Sequence, residues 1–277
     1  MKKILLTGAN GMFGQDFQHI AIEQDYEIIS TDIHNLNITD FEAVKDFFCK
    51  NNCDIVVHAA AYTNVDGAEE NKELAFKING TGTENLAKIT AEFNIPIVYI
   101  STDYVFDGTK NTPYVPLDKT NPQSVYGASK LAGEMAVQKY NSRHYITRTS
   151  WLYGKNGKNF VNTMITLAEK MPELRVVNDQ TGCPTWTYDL GGGILKIINQ
   201  SMPYGIYHVC GSGNTTWYGF TKKIFEIANI KTKVNPCTTA EFLRPAKRPA
   251  YSVMDNSGLC QNWEKSLKQY LDIVYLI

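Results

Sequence analysis

Three side chains of complementary chemistry follow one another along the chain: the hydroxyl of Thr102, the phenol of Tyr126 and the amine of Lys130. Tyr126 and Lys130 form a YxxxK pattern at the start of a predicted helix, which places both side chains on one face, a turn apart. A free phenol has a pKa of about 10 and a nearby ammonium favours the phenolate, so the pattern predicts proton exchange nearer neutral pH. Taken alone, the spacing also fits an exposed helical tyrosine and lysine.

Thr102 supplies the third group because it follows an apolar segment that predicts a strand at Ile97–Ser101. Ligands of open α/β folds bind at the carboxyl ends of the sheet strands. A hydroxyl at that position can orient a substrate carbonyl. The three groups together therefore predict a site that orients and protonates a carbonyl oxygen.

A glycine-rich turn opens the chain, with Gly8, Gly11 and Gly14 at GxxGxxG spacing directly after the predicted strand Lys3–Thr7. Gly8 permits a tight turn, and Gly11 lets the backbone approach a pyrophosphate at a helix N-terminus. Gly14 allows close packing of helix on strand. The alternative is that these glycines serve turn geometry alone.

Asp32 follows the second predicted strand, 18 residues after Gly14, where an acid can accept hydrogen bonds from the adenosine ribose hydroxyls. The alternative is a helix or turn cap. Its carboxylate would repel a 2′-phosphate, which favours NAD over NADP without deciding between them. The small residues of segment 59–63 (AAAYT) would let the backbone run beneath the dinucleotide, or would serve helix–sheet packing. With the catalytic groups, these features predict a nicotinamide-dependent oxidoreductase.

The first 150 residues, which must position these groups, alternate short apolar segments typical of strands with longer segments of helical period. This alternation is typical of βαβ units and a parallel sheet. Segment Thr39–Glu42 reads as a capping box that starts a helix. Further helices are predicted from about Asn71 to Phe93 and from about Val125 to Tyr140. The predicted strands are Lys3–Thr7, Glu27–Thr31, Asp54–His58, Ile97–Ser101 and His144–Thr149.

We therefore expect an α/β fold, a Rossmann-type doubly wound parallel sheet with a smaller C-terminal substrate-binding lobe. Residues 1–150 would form the nucleotide-binding domain, joined by elements that return from about 186–210, and residues 151–277 would form mainly the lobe. The predicted later elements are Phe160–Lys170, Tyr188–Ile198, a strand near Ile206–Val209 and Trp217–Ala228.

The amino-acid composition limits the classes of partner that this chain can bind. The 277 residues carry 27 basic and 28 acidic side chains without a dense basic run, so we expect no nucleic-acid or membrane-surface partner. No apolar run approaches the roughly 18 to 20 residues of a membrane-spanning helix. The six scattered cysteines do not form a disulfide framework, which fits a reducing cytoplasm. The one close pair, Cys49 and Cys53, lacks partner ligands, so we predict no metal.

The motifs TGANGMFG, STDYVFDG and YGASK resemble those of the extended short-chain dehydrogenase/reductase family. Within it, AAYTNVDGAE, RTSWLYG, DQTGCPT and RPAYSVMD resemble the dTDP-4-dehydrorhamnose reductases over nearly the whole chain. The resemblance implies transfer of a hydride from NADH or NADPH to the 4-keto carbon of a dTDP-linked 4-keto-6-deoxyhexose, with Tyr126 as proton donor. Some relatives form homodimers, so the resemblance is also compatible with a homodimer of this chain.

The resemblance also implies further contacts, residue by residue. Trp151 would lay its broad apolar face against the deoxysugar, with core packing as the alternative. Arg248 would pair with the substrate diphosphate or stand in solvent. Asn37-Ile38 departs from the acid that relatives carry for the adenine amine, although the amide oxygen of Asn37 can still accept. The implied cofactor contacts are Gly11, Met12, Phe13, Asp32, Asn37, Ile38, Ala61, Tyr62, Thr63 and Lys130, and the sugar contacts are Thr102, Asp103, Tyr104 and Trp151.

Three other activities are compatible with parts of this pattern. A 4,6-dehydratase would need an Asp-Glu pair after the threonine, whereas Tyr104 follows Asp103 here. A 4-epimerase uses the same three catalytic groups and stays open. So does a non-catalytic subunit resembling the regulatory β subunit of methionine adenosyltransferase.

Overall fold

The structure, a computed structural model, describes residues 1–275. Its strands are β1 (Lys2–Thr7), β2 (Tyr26–Thr31), β3 (Ile55–His58), β4 (Ile97–Thr102), β5 (His144–Thr149), β6 (Leu152–Tyr153), β7 (Glu173–Val177), β8 (Thr181–Gly182), β9 (Thr185–Trp186), β10 (Gly205–His208), β11 (Thr215–Thr216) and β12 (Lys233–Cys237). Its α-helices are α1 (Met12–Glu23), α2 (Phe41–Lys50), α3 (Val65–Glu70), α4 (Lys72–Phe76), α5 (Thr83–Glu92), α6 (Val125–Tyr140), α7 (Phe160–Lys170), α8 (Thr187–Asn199), α9 (Trp217–Ile227) and α10 (Trp263–Tyr275).

Six parallel strands form the central sheet in the order β10-β5-β4-β3-β1-β2. Alternate strand residues face opposite sides, so Ile4 and Leu6 pack with α1 and α8, whereas Leu5 packs with α2, α5 and α6. Both faces are therefore covered, as the near-continuous apolar strands require. The direction of the crossovers reverses between β1 and β3, and ligands bind at such a point.

The later elements form a separate apolar cluster. Helices α7, α9 and α10 pack around buried aromatic residues such as Tyr153, Phe220 and Tyr270. Strand β12 pairs with β7 beside them. Strand β10 instead joins the central sheet next to β5, and α8 packs on α1. The chain thus crosses between the two clusters more than once.

One local prediction was wrong, and one predicted helix contains a turn that the sequence did not indicate. Helix α2 is capped by Asp40, which accepts the Ala43 N–H at 3.0 Å, whereas the Thr39 hydroxyl donates to Asn37 at 2.9 Å. The carboxylate one residue later captures the free N–H group, so Thr39 is left outside the helix. The helix predicted from Asn71 to Phe93 is interrupted by a wide π-helical turn at Lys77–Gly82 between α4 and α5. Such turns often occur at functional sites.

No helix within residues 1–275 is long and apolar enough to cross a membrane. The same residues contain no group of three or more His, Cys, Asp or Glu side chains placed to hold a metal ion. All six cysteine thiols are free.

Candidate functional site

A cleft of about 800 Å³ lies at the carboxyl ends of the central strands. Elements that are remote in sequence reach it, because parallel strands end at one edge of the sheet. The predicted site residues that line this cleft are Gly8, Gly11, Met12, Phe13, Gly14, Asp32, Asn37, Ile38, Ala61, Thr63, Thr102, Asp103, Tyr104, Tyr126, Lys130 and Trp151. Tyr62 and Arg248 lie outside its lining.

The glycine turn forms one wall of the cleft. Gly8 has a φ of +70°, and a Cβ there would lie 2.7 Å from the Ala60 backbone nitrogen. A Cβ on Gly14 would lie 2.3 Å from the Gly8 carbonyl oxygen. Helix α1 begins after Gly11 without a side-chain cap, so its first N–H groups are available to a ligand. This cradle, closed to any side chain, fits the pyrophosphate of a dinucleotide.

Asp32 stands at the end of β2, half-exposed in the cleft. Its carboxylate accepts N–H groups of Asn10 at 3.2 Å and of Ile33 at 2.7 Å. The amide oxygen of Asn37 already accepts both the N–H and the hydroxyl of Thr39, at 3.1 and 2.9 Å. An adenine amine would therefore share that oxygen with Thr39, while Ile38 presents an apolar surface.

The three catalytic candidates meet deeper in the cleft. Tyr126 and Lys130 extend from the first turns of α6, which Ser124 caps by accepting the Gly127 N–H at 3.1 Å. Lys130 Nζ donates to the Ile100 carbonyl at 2.7 Å. Thr102 sits at the last position of β4 and faces the same space. A small carbonyl compound can therefore contact a hydroxyl and a phenol together.

Burial sets the protonation of these groups. It raises the pKa of Tyr126 to about 12, although the Thr102 hydroxyl partly offsets the effect. Burial lowers the pKa of Lys130 to about 7, against the influence of the Glu134 carboxylate. The Lys130 ammonium does not by itself bring the pKa of the phenol near neutrality, because desolvation of the phenolate dominates. Tyr126 is protonated at neutral pH, as a proton donor must be.

Asp103 lies beside this centre with one carboxylate oxygen unpartnered among the described residues. Its other oxygen accepts the Thr102 hydroxyl at 3.0 Å. Burial raises the pKa of Asp103 to about 6, with the hydrogen bond from Thr102 acting in the opposite direction. A buried acceptor without a partner is costly, so this oxygen is suited to a hydroxyl of a bound sugar.

Trp151 both lines the cleft and packs against neighbouring side chains, the two roles considered from the sequence. Its φ of +47° turns it into the cleft. There its indole stacks on Trp217 with ring centres 3.5 Å apart and abuts Gly182. It packs against the lobe and lines the cleft at once.

Arg248 and Tyr62 are held by contacts other than the predicted ones. The Arg248 guanidinium forks onto the Asp66 carboxylate at 3.0 and 2.9 Å. Tyr62 is clamped through its backbone, since the Asn79 side chain accepts its N–H at 2.8 Å and donates to its carbonyl at 3.0 Å. A substrate phosphate would compete with Asp66 for Arg248.

A profile of the RmlD substrate-binding domain matches residues 1–275. The chain belongs to this family. It is 39% identical over 277 residues to the spore coat polysaccharide biosynthesis protein SpsK of Bacillus subtilis, covering 98% of this chain and 97% of SpsK. The crystal structure of a dTDP-4-dehydrorhamnose reductase from Clostridium acetobutylicum superposes with a TM-score of 0.96 at 46% identity, over 99% of each chain.

The dTDP-4-dehydrorhamnose reductase of Bacillus anthracis was solved in complex with NADP. It is 41% identical to this chain, with a TM-score of 0.94, over 98% of this chain and 99% of the other. The resemblance to these reductases and the predicted α/β fold class are therefore confirmed.

The residues missed from the sequence include one that supports the site and one that lines the cleft. Asn79 lies in the π-helical turn, and its amide also donates to Ser129 at 2.9 Å, next to the catalytic lysine. Lys158 lines the cleft from a loop in which Gly157 approaches Met12. An asparagine within a helical pattern and a lysine in a polar loop give no local signal, since only the fold brings Lys158 to the cleft and Asn79 to the backbone of Tyr62.

Proposed function

We propose that this chain reduces the 4-keto group of dTDP-4-dehydro-L-rhamnose to give dTDP-L-rhamnose, using NADH or NADPH. The observation that carries the proposal is that Thr102, Tyr126 and Lys130 meet in one cleft with the bare glycine turn. The family's named reductases, one of them solved with NADP, support both the reaction and the cofactor class. The prediction that the chain is an NAD(P)H-dependent oxidoreductase is thereby confirmed by its family.

When bound, the reduced nicotinamide supplies a hydride to the carbonyl carbon. Thr102 turns its hydroxyl from Asp103 to the carbonyl oxygen and orients it. Tyr126 donates its hydroxyl proton to that oxygen as the carbon–hydride bond forms. The ketone thus becomes a secondary alcohol, and Lys130 stabilises the phenolate left on Tyr126. Asp103 and Trp151 hold the sugar in this position through a hydroxyl and an apolar face.

The setting follows from the same observations. We place the reaction in the cytoplasm, since free thiols suit a reducing compartment. Nucleic acid and membrane have no part in the proposed reaction, and no added metal ion is required. A homodimer stays a prediction that gel filtration with light scattering would test.

The proposal is tested by following NADH or NADPH absorbance with the purified protein and the dTDP-linked 4-keto sugar. Substrate-dependent oxidation, with dTDP-rhamnose as product, is expected. Cofactor binding without oxidation would contradict the reductase and favour an epimerase or a regulatory subunit.

Asp32→Ser is expected to shift cofactor preference toward NADPH. The change removes both the ribose acceptor and the charge that repels a 2′-phosphate. We expect kcat/KM to fall about tenfold for NADH and to rise several-fold for NADPH, in line with about 1.4 kcal/mol per decade. Steady-state kinetics with each cofactor measure the ratio, and the exposed Asp46→Ser on α2 serves as the control. An unchanged ratio would remove Asp32 from the ribose site.

Lys158→Ala is expected to weaken cofactor binding about fivefold, because one charge-assisted contact with the pyrophosphate, about 1 kcal/mol, is lost. Fluorescence titration with NADH at low and high salt measures the effect, which should shrink as salt rises. Lys155→Ala, in the same loop but outside the cleft lining, is the matched control. Equal affinities in the two variants would show that Lys158 does not contact the cofactor.

A further inference from the structure

A buried ion pair lies directly behind the catalytic groups, one helical turn beyond Lys130. Arg148 Nε donates to Glu134 Oε1 at 2.9 Å, and Nη2 donates to Oε2 at 2.7 Å. Both side chains are at most 3% exposed. Removing two charges from water is costly, and apolar residues of similar volume are often as stable in such places. Stability alone is therefore a weak explanation for the pair.

Glu134 joins the catalytic helix to the two strands that end at the site. Its Oε1 also accepts the Ser101 hydroxyl at 2.5 Å, and Ser101 immediately precedes Thr102 on β4. Arg148 lies opposite Ser101 in the register of β4 and β5, and its Nη1 donates to the Pro116 carbonyl at 3.0 Å. A single carboxylate therefore fixes the distance between α6 and the end of β4.

Glu134 shares one face of α6 with Tyr126 and Lys130, at intervals of four residues. Lys130 Nζ lies 4.2 Å from the centre of the Tyr99 ring, so a phenol and a carbonyl surround it on the β4 side. Neither neighbour carries a negative charge at neutral pH, because burial raises the pKa of Tyr99 well above its usual value.

Two further titratable groups lie near Lys130: Tyr126, which is protonated at neutral pH, and His58 on β3. Burial lowers the pKa of His58 to about 3, with the Lys130 charge acting in the same direction, so His58 is neutral at working pH. Glu134 is thus the acidic side chain next to Lys130 on α6, and it raises the pKa of Lys130 against the burial that lowers it.

We propose that Glu134 is a positioning residue for the reduction: it aligns the Tyr126–Lys130 face of α6 with Thr102 and sets its carboxylate one helical turn behind Lys130. Arg148 holds the Glu134 carboxylate in place through two hydrogen bonds. The inference rests on the proposed reductase activity, since it acts through the groups that carry that reaction.

Glu134→Gln is the first test, because it keeps the shape of the side chain and removes its charge. We expect kcat to fall about tenfold with the KM of both substrates within about twofold. A cation that loses its anionic partner has a lower pKa, so the alkaline limb of the kcat profile should move to lower pH by about one unit. Glu84→Gln, which breaks the exposed pair with Lys88, is the control and should leave both unchanged.

The double variant Glu134→Leu with Arg148→Met separates positioning from packing. It replaces the buried charges with apolar residues of similar length, so it is expected to fold and to bind NADH. Low kcat and a shifted alkaline limb should nevertheless persist. Recovery of the unaltered protein's kcat and pH profile would show that the pair is only structural and would overturn the inference.

A direct titration of Lys130 separates the proposed role of Glu134 from the proposed reductase activity. The Lys130 side-chain signal, assigned by its loss in Lys130→Arg, can be followed by NMR in protein with labelled lysine, without substrate. In Glu134→Gln, or in the double variant if that one is unstable, Lys130 should deprotonate at lower pH. An unchanged titration would overturn the role of Glu134 while the reductase assay stands. Failure of the unaltered protein to reduce the keto sugar would instead remove the proposed function.

Discussion

Tyr126→Phe is expected to lower kcat by roughly 10² to 10⁴ while the affinity for NADH changes less than about twofold. The substitution removes the hydroxyl and keeps the ring. Because burial raises the pKa of Tyr126 to about 12, the phenol carries its proton at neutral pH and is the group placed to give it up. Steady-state reduction of the keto sugar and fluorescence titration with NADH measure the two quantities separately.

The matched control is Tyr140→Phe at the last position of the same helix, outside the cleft lining. It should keep kcat within about twofold, since it loses a hydroxyl but none of the catalytic contacts. Activity close to that of the unaltered protein in Tyr126→Phe would refute the assignment of the proton donor. A parallel loss of cofactor affinity would point to distortion of the cleft instead.

Gly8→Ala is expected to abolish measurable cofactor binding and to lower the free energy of unfolding by about 2 to 4 kcal/mol. The backbone of Gly8 has a φ of +70°, which alanine adopts at a cost. Its new Cβ would also lie within 2.9 Å of backbone atoms of Ala59 and Ala60, which cannot rotate away. The turn must therefore open, and the N-terminus of α1 moves from its position in the cleft.

Gly192→Ala is the control for that substitution. Gly192 lies within α8, and a Cβ there would meet no atom within 4 Å. Alanine is the better helix former, so this variant should be more stable by about 0.5 to 1 kcal/mol and should bind NADH normally. Chemical denaturation gives both stabilities. Cofactor binding by Gly8→Ala equal to that of the control would contradict the role of the turn.

The sequence was most informative where local pattern and chemistry coincide. The alternation of apolar strands and helices predicted the parallel sheet, and the predicted helix from Val125 to Tyr140 is confirmed as α6. The YxxxK spacing at the start of that helix places Tyr126 and Lys130 on one face, and this follows from the local sequence without any contact to a distant segment. The glycine turn, Asp32, Thr102 and Tyr126 come in this order along the chain because successive βαβ units each bring one segment to the carboxyl edge of the sheet.

The remaining features depend on contacts between distant segments. The stacking of Trp151 on Trp217 and the fork of Arg248 on Asp66 join segments 66 and 182 residues apart, which no local spacing reveals. The π-helical turn that aims Asn79 at the backbone of Tyr62 looks like ordinary helix in sequence. The effect of burial on the pKa of Tyr126 could not be predicted from the sequence, because burial is a property of the folded chain.

The reductase assay tests the central claim most directly. Purified protein, NADH or NADPH, and dTDP-4-keto-6-deoxy-L-mannose generated in the same vessel are followed at the absorbance band of reduced nicotinamide. The account predicts oxidation of the cofactor that depends on the sugar nucleotide and yields one equivalent of dTDP-rhamnose. Demonstrated cofactor binding with no oxidation of either dinucleotide would contradict it.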